Sequence, residues 1–282
     1  MRRIIETTTA PHGHWVGDGF PVRSLFSPAS GADTTPFLML DYAGPHHFDP
    51  ATTPRGVDVH PHKGFETVTI VYQGEVEHGD STGRGGVIGP GDVQWMTAGR
   101  GILHKEFHSP AFTATGGDFE MVQLWVNLPA RDKDTAPGYQ GIRDADIPVV
   151  DLPGGRLRVI AGDYGDVQGA ARTFTPMDVL DLRLDAGADT VLTPTDGHNV
   201  IVVALSGDVT VNGTRLTGPA TARLSRDGGA VQIAAVSDSK LLILAGQPID
   251  EPIAAYGPFV MNTDAEIRQA ITDFRAGAFG QL

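Results

Sequence analysis

Residues 64–74 read GFETVTIVYQG, and residues 197–207 read GHNVIVVALSG. Each runs from glycine to glycine around an apolar core and is followed by an acidic residue, Glu75 or Asp208, and then a valine-containing strand. In the first stretch Val68, Ile70 and Tyr72 alternate with Thr67, Thr69 and Val71, the period of a strand rich in β-branched residues. The offset is 133 residues, and the order of strands around each stretch also repeats. This predicts two related β-domains in one chain.

Further strands are read in GVIGPGDVQWMTAGRG and FEMVQLWVNLP, and no helical period is convincing before about residue 130. From Ala130 the chain turns polar and irregular; strand patterns resume in GRLRVIAG, DVLDLRLDAG, TARLS, AVQIAAV and KLLILAG. The expected division is an N-terminal domain over 1–130, a linker over 131–148, a C-terminal domain over 149–248 and a tail over 249–282. In the tail, Thr263 and Glu266 stand in capping-box spacing ahead of Ile267, Ile271 and Phe274, with Gly277 as the stop, so one C-terminal helix is predicted.

The 282 residues suffice for two ordinary domains, and 36 Gly and 20 Pro, scattered singly, suit short strands joined by tight turns. A net charge of −13 argues against direct nucleic-acid binding, which needs Lys and Arg against phosphate. With no cysteine, any metal must be held by imidazole and carboxylate. Residues 1–15 start basic but carry no apolar signal core, and no run of ~18 apolar residues could span a membrane. The expectation is a cytoplasmic monomer.

Nine of the ten histidines lie at or before position 108. DVHPHKGFE sets His60 and His62 two apart at the entrance to a strand, and GILHKEF repeats the device with His104 and Glu106. Residues i and i+2 of a strand share a face, so each pair can converge on one ion. Three imidazoles and a carboxylate on an octahedral metal leave two positions open, which suits Fe(II), Mn, Ni, Co or Cu; a Zn site closed by four ligands would be structural. Glu66 shares the parity of His60 and His62, so parity leaves Glu66 and Glu106 as rivals for the fourth position; a bulge near Gly64 would move Glu66 away. His12, His14, His46, His47, His78 and His108 are read as solvated or locally hydrogen-bonded, with His108 near the rim of the pocket. Phe65, Trp95 and Met96 are read as core.

Shifting by 133 puts Thr193 at the place of His60, Thr195 at His62 and Asn199 at Glu66; a looser match of GILHKE to GAVQIA puts Gln232 at His104 and Ala234 at Glu106. The second domain then lacks ligands, and one metal per chain is expected.

HPHKGFETVTIVYQGEVEHGDS and GPGDVQWMTAGRGILHKEF, with LWVNLP, RVIAGDYG and the terminal YGPFVMNTDAEIRQAITDFRAGAFG, resemble the pirin family of the cupin superfamily over nearly the whole chain. The resemblance implies an all-β fold of two tandem jelly-roll-like cupin barrels with a metal in the first. It implies His60, His62, His104 and Glu106 as ligands, which resolves the rivalry with Glu66, and a divalent metal, Fe(2+) foremost. It also implies quercetin 2,3-dioxygenase activity on a flavonol-like aromatic substrate, with Glu106 as general base for the substrate hydroxyl. The alternative is a metal-dependent regulator that binds a transcription factor or metabolic enzyme as protein partner.

Overall fold

The computed structural model describes residues 1–10, 12–28 and 33–282. After β1 (Ile4–Thr9), which belongs to the second barrel, the first barrel is built from β2 (His14–Val16), β3 (Phe20–Phe26), β4 (Phe37–Phe48), β5 (Gly56–His62), β6 (Phe65–Gln73), β7 (Val76–Asp80), β8 (Gly85–Ile88), β9 (Val93–Thr97), β10 (Ile102–His108), β11 (Gly117–Asn127) and β12 (Gly138–Ile142). These form one sheet in the order β12-β9-β6-β11-β4-β3-β2 and another in the order β5-β10-β7-β8.

The second barrel takes β13 (Val149–Leu152), β14 (Gly155–Ala161), β15 (Asp163–Tyr164), β16 (Val167–Gln168), β17 (Met177–Leu184), β18 (Asp189–Leu192), β19 (Asn199–Ser206), β20 (Asp208–Val211), β21 (Thr214–Thr217), β22 (Ala220–Leu224), β23 (Val231–Ala235) and β24 (Ser239–Gly246). Its two main sheets run β1-β22-β19-β24-β17-β14-β13 and β18-β23-β20-β21.

The repeat read from the sequence is visible strand by strand. β5-β10-β7-β8 has its counterpart in β18-β23-β20-β21, and β9-β6-β11-β4 in β22-β19-β24-β17. Alternate residues of β19 (Val200, Val202, Ala204) join Leu182, Val209, Val211, Val231, Ile233 and Leu241 in an aliphatic core. Each such valine, leucine or isoleucine side chain contributes about 1.5–3 kcal/mol on burial.

Register corrects one detail. In β23 the buried positions are Val231 and Ile233, whereas Gln232 and Ala234 are only half-buried. Gln232 Nε2 donates to Asp189 Oδ2 at 2.8 Å. The looser sequence match was thus one residue out, which in a strand turns a side chain to the other face.

The division of the chain differs from expectation at both ends and in the middle. β1 pairs with β22, Thr7 opposite Ala222, so the first residues complete the second barrel. The tail returns to the first barrel: β25 (Ala254–Tyr256), β26 (Phe259–Met261) and the helix Asp264–Arg275 build a small core with Leu103 and Phe279. The stretch expected as a linker contains β12, paired with β9 from Gly138↔Thr97 to Ile142↔Val93. A six-residue helix, α1 (Pro110–Thr115), capped by Ser109, also stands where no helical period was read.

The C-terminal helix, α2 (Asp264–Arg275), has the expected capping box between Thr263 and Glu266. Gly277 follows its end at φ +76°, a left-handed conformation that glycine adopts without penalty. Its buried residues are Ile267 and Ala270; Phe274 remains 40% exposed.

Candidate metal centre

The strands β5 and β6 meet at the turn Lys63–Gly64. Gly64 sits at φ +86°, and a Cβ there would collide with the Val260 carbonyl oxygen, so only glycine fits. The turn is clamped: Lys133 Nζ donates to the carbonyls of Gly64 (2.9 Å) and Val260 (3.0 Å) and to Asn127 Oδ1 (3.0 Å). Burial lowers the Lys133 ammonium from 10.5 to about 8.

This turn breaks the alternation that made Glu66 a rival of Glu106. Beyond it, Phe65 packs on His62 with ring centroids 5.1 Å apart, and Thr69 Oγ1 donates to Gln123 Oε1 at 2.6 Å and lies 3.4 Å from Glu106 Oε1. Glu66 lies on the opposite face of β6, where its Oε1 accepts from Thr97 Oγ1 at 2.8 Å. Buried to 1% exposure, its carboxyl is raised to about 7 by desolvation, against which the Thr97 bond acts.

His60 on β5 lies directly opposite His104 on β10. Ring centroids are 4.1 Å apart for His60–His104, 4.7 Å for His62–His104 and 5.0 Å for His60–His62. One ring nitrogen from each of the three lies within 4.8 Å of the others. Glu106 falls in a second group with His104 and His78, also within 4.8 Å, so His104 joins the two.

The donor set fits a divalent cation. His62 Nδ1 and His104 Nε2 are buried without a hydrogen-bond partner, an arrangement that costs free energy unless something electrophilic meets it. Burial, with the neighbouring His60, lowers His62 to about 3, and burial with His62 and His60 lowers His104 as well, so both imidazoles are neutral at pH 7 as ligation requires. His60 Nδ1 is engaged by the Asp58 carbonyl at 2.8 Å, which leaves its Nε2 for the cluster.

His78, read from the sequence as solvated or locally hydrogen-bonded, lies instead inside the cluster. It lies on β7 opposite Glu106, 3% exposed, with its Nδ1 3.4 Å from His104 Nδ1 and 3.2 Å from Gln94 Nε2. Its Nε2 lies 3.6 Å from Asp80 Oδ2. Burial pushes the Asp80 carboxyl up, but bonds from His78 and Thr82 outweigh it and hold it below its ordinary value. Tyr139 of β12 stacks on His78 at 5.4 Å and 20°, so the supposed linker supplies a wall of the site. The available signal was the alternation Val76, His78, Asp80, all buried.

His108, expected near the rim, is buried elsewhere: its Nε2 lies 3.0 Å from the Gly19 carbonyl, among Phe20, Phe48, Phe112 and Phe119. Phe65, Trp95 and Met96 are fully buried.

Two tandem cupin barrels with a histidine–carboxylate cluster in the first define the class as a bicupin. The family profile described as Pirin matches residues 19–126, and that of the Pirin C-terminal cupin domain matches residues 179–280. A Pseudomonas aeruginosa protein named "Putative quercetin 2,3-dioxygenase PA2418" is 56% identical over 282 residues, covering 99% of each chain. A crystal structure titled quercetin 2,3-dioxygenase from Acinetobacter baumannii is 55% identical, with TM-score 0.98 over 100% of this chain and 99% of that one. A bacterial pirin from Escherichia coli in complex with nickel(II), 24% identical and covering 86% of this chain and 99% of that one, shares the fold with TM-score 0.66. The chain belongs to the pirin family.

No helix among the described residues is long and apolar enough to cross a membrane.

Proposed function

We propose that the first barrel is a metal-dependent dioxygenase of the quercetin 2,3-dioxygenase type, which opens a flavonol-like substrate with dioxygen. The observation that carries this reading is the convergence of His60, His62 and His104, with unpartnered buried nitrogens on His62 and His104. The ligands in this reading are His60, His62, His104 and Glu106, and the ion is iron(II) or, as alternatives, Ni, Mn, Co, Cu or Zn. When bound, it supplies Lewis acidity toward a substrate hydroxyl oxygen and a redox centre for dioxygen chemistry.

The chain's own residues do the rest. Glu106 is the general base that takes the proton of the flavonol hydroxyl, and Thr69 steadies the carboxylate through Oε1. His78 orients His104 through the ring-nitrogen contact, and Gln94 and Asp80 hold His78 in turn. Phe65 and Trp125, packed at 4.3 Å with their rings tilted by 36° beside His62, shield the cluster from water on that side.

The test is metal analysis of freshly purified protein beside a turnover assay. Iron-loaded protein should bleach quercetin in air with matching oxygen uptake. Quercetin left unchanged, while a known quercetinase consumes it under the same conditions, would sink the proposal.

A further inference from the structure

The second barrel has lost the ligands but carries an opening of its own beside the residues that follow β18. A cavity of about 600 Å³ is lined by Thr193, Thr195, His198 and Asp178 among others, and Thr193 and Thr195 are the residues that the 133-residue shift sets at His60 and His62. A second cavity of about 380 Å³ shares Asp163, Asp178 and Thr193 with it and is walled by Leu180, Leu192, Ile243 and Ala245. Volumes of this size suit small organic ligands.

The same shift sets His198 at Phe65, on the inward face of its strand. His198 is 8% exposed, lines the larger cavity, and its Nδ1 is buried without a partner. Burial and the nearby Arg2 guanidinium keep this imidazole below its ordinary pKa, and Arg2 itself is committed to the carbonyls of His198, Pro194, Thr195, Ser225 and Arg226. Burial raises the Asp178 carboxyl, and the charge of Asp163 adds to the effect. The carboxyls of Asp163 and Asp178 and the guanidinium of Arg172 all lie on the lining, so the cavity presents no single sign of charge to an ion. An unpartnered nitrogen, a carboxyl oxygen and two threonine hydroxyls call for a ligand that offers hydroxyl hydrogens. The aliphatic wall calls for an apolar ring behind them.

We infer that the mouth of the second barrel is a binding site for an uncharged hydroxylated aromatic ring, with hydroxyls toward His198, Asp178 and the threonines and the ring against Leu180, Leu192 and Ile243. The site is separate from the histidine cluster of the first barrel and needs no metal.

The test titrates catechol into the full chain carrying His62→Ala, in the presence of EDTA, by calorimetry, with D-xylose as the non-aromatic polyol. One catechol site should remain, and xylose should bind at least tenfold more weakly. His198→Ala and, separately, the exposed Thr195→Val should each weaken catechol about tenfold, the value of one lost hydrogen bond. If His198→Ala fails to fold, Thr195→Val still reads the site. A crystal soak should place the hydroxyls toward Thr195 and His198 and the ring against Leu180, Leu192 and Ile243. No catechol binding, affinity in both variants unchanged from the parent protein, equal affinity for xylose, or density only beside His60 would each overturn the inference.

Discussion

Glutamine in place of Glu66 removes one ionisable group from the first barrel while keeping its shape. Glu66 is 1% exposed, one oxygen accepts from Thr97, and the carboxyl also faces the Trp95 indole. Its folded value of about 7 stands above the ordinary 4.5, so the sign is fixed. Below pH 4.5 both folded and unfolded chains hold the proton, and Glu66 costs nothing. Between 4.5 and 7 the unfolded chain releases it while the folded chain keeps it, so stability falls as pH rises. Above 7 the full cost remains. At about 1.36 kcal/mol per pH unit, the interval is worth roughly 3 kcal/mol. Glu66→Gln should lack this slope, although the glutamine amide, standing between Thr97 and Trp95 where a carboxyl accepts from both, adds a pH-independent cost of about 1–3 kcal/mol. Trp15, Trp95 and Trp125 all lie in the first barrel's unit, so tryptophan fluorescence in urea, with EDTA present, reports that unit alone. The stability difference between variant and wild type should swing in the variant's favour by about 3 kcal/mol from pH 4.5 to pH 8. Parallel curves across that range would refute the reasoning.

Other perturbations bear on the site and its supports. His62→Ala should lower the metal content of purified protein from about one ion per chain to below a tenth, measured by elemental analysis. His78→Ala should weaken metal affinity about 10–100-fold by freeing His104, read by competition with a chelator; unchanged affinity would remove His78 from the account. Thr263→Ala should cost about 1 kcal/mol by removing half of the capping box of α2, seen as a lower midpoint in urea.

Much of the site was legible because its pairs obey the strand period. His60 with His62 and His104 with Glu106 stand two apart, and in β10 the buried positions are Ile102, His104, Glu106 and His108. The same rule failed at Glu66, since parity carries no information across the left-handed turn at Gly64. It also passed over His78, which stands as the lone histidine of its short strand, next to Gly79. GYQGI hides the alternation of β12 behind two glycines, which is why a strand was taken for a linker. The pairing of β1 with β22 leaves no local trace at all, because it joins segments more than two hundred residues apart. The helix α2 was plain from the sequence because its cap is local.

That crossing of the chain ends constrains how the protein is made. The first strand to leave the ribosome waits for β22, and the first barrel waits for Phe259, Ile267 and Phe279 to arrive last. The second barrel has all its residues by 248, while the first still lacks its tail, and a break near residue 145 would yield two fragments each missing a piece of itself. Mixing the fragments should restore what neither has alone, much as two halves of a split protein complement one another.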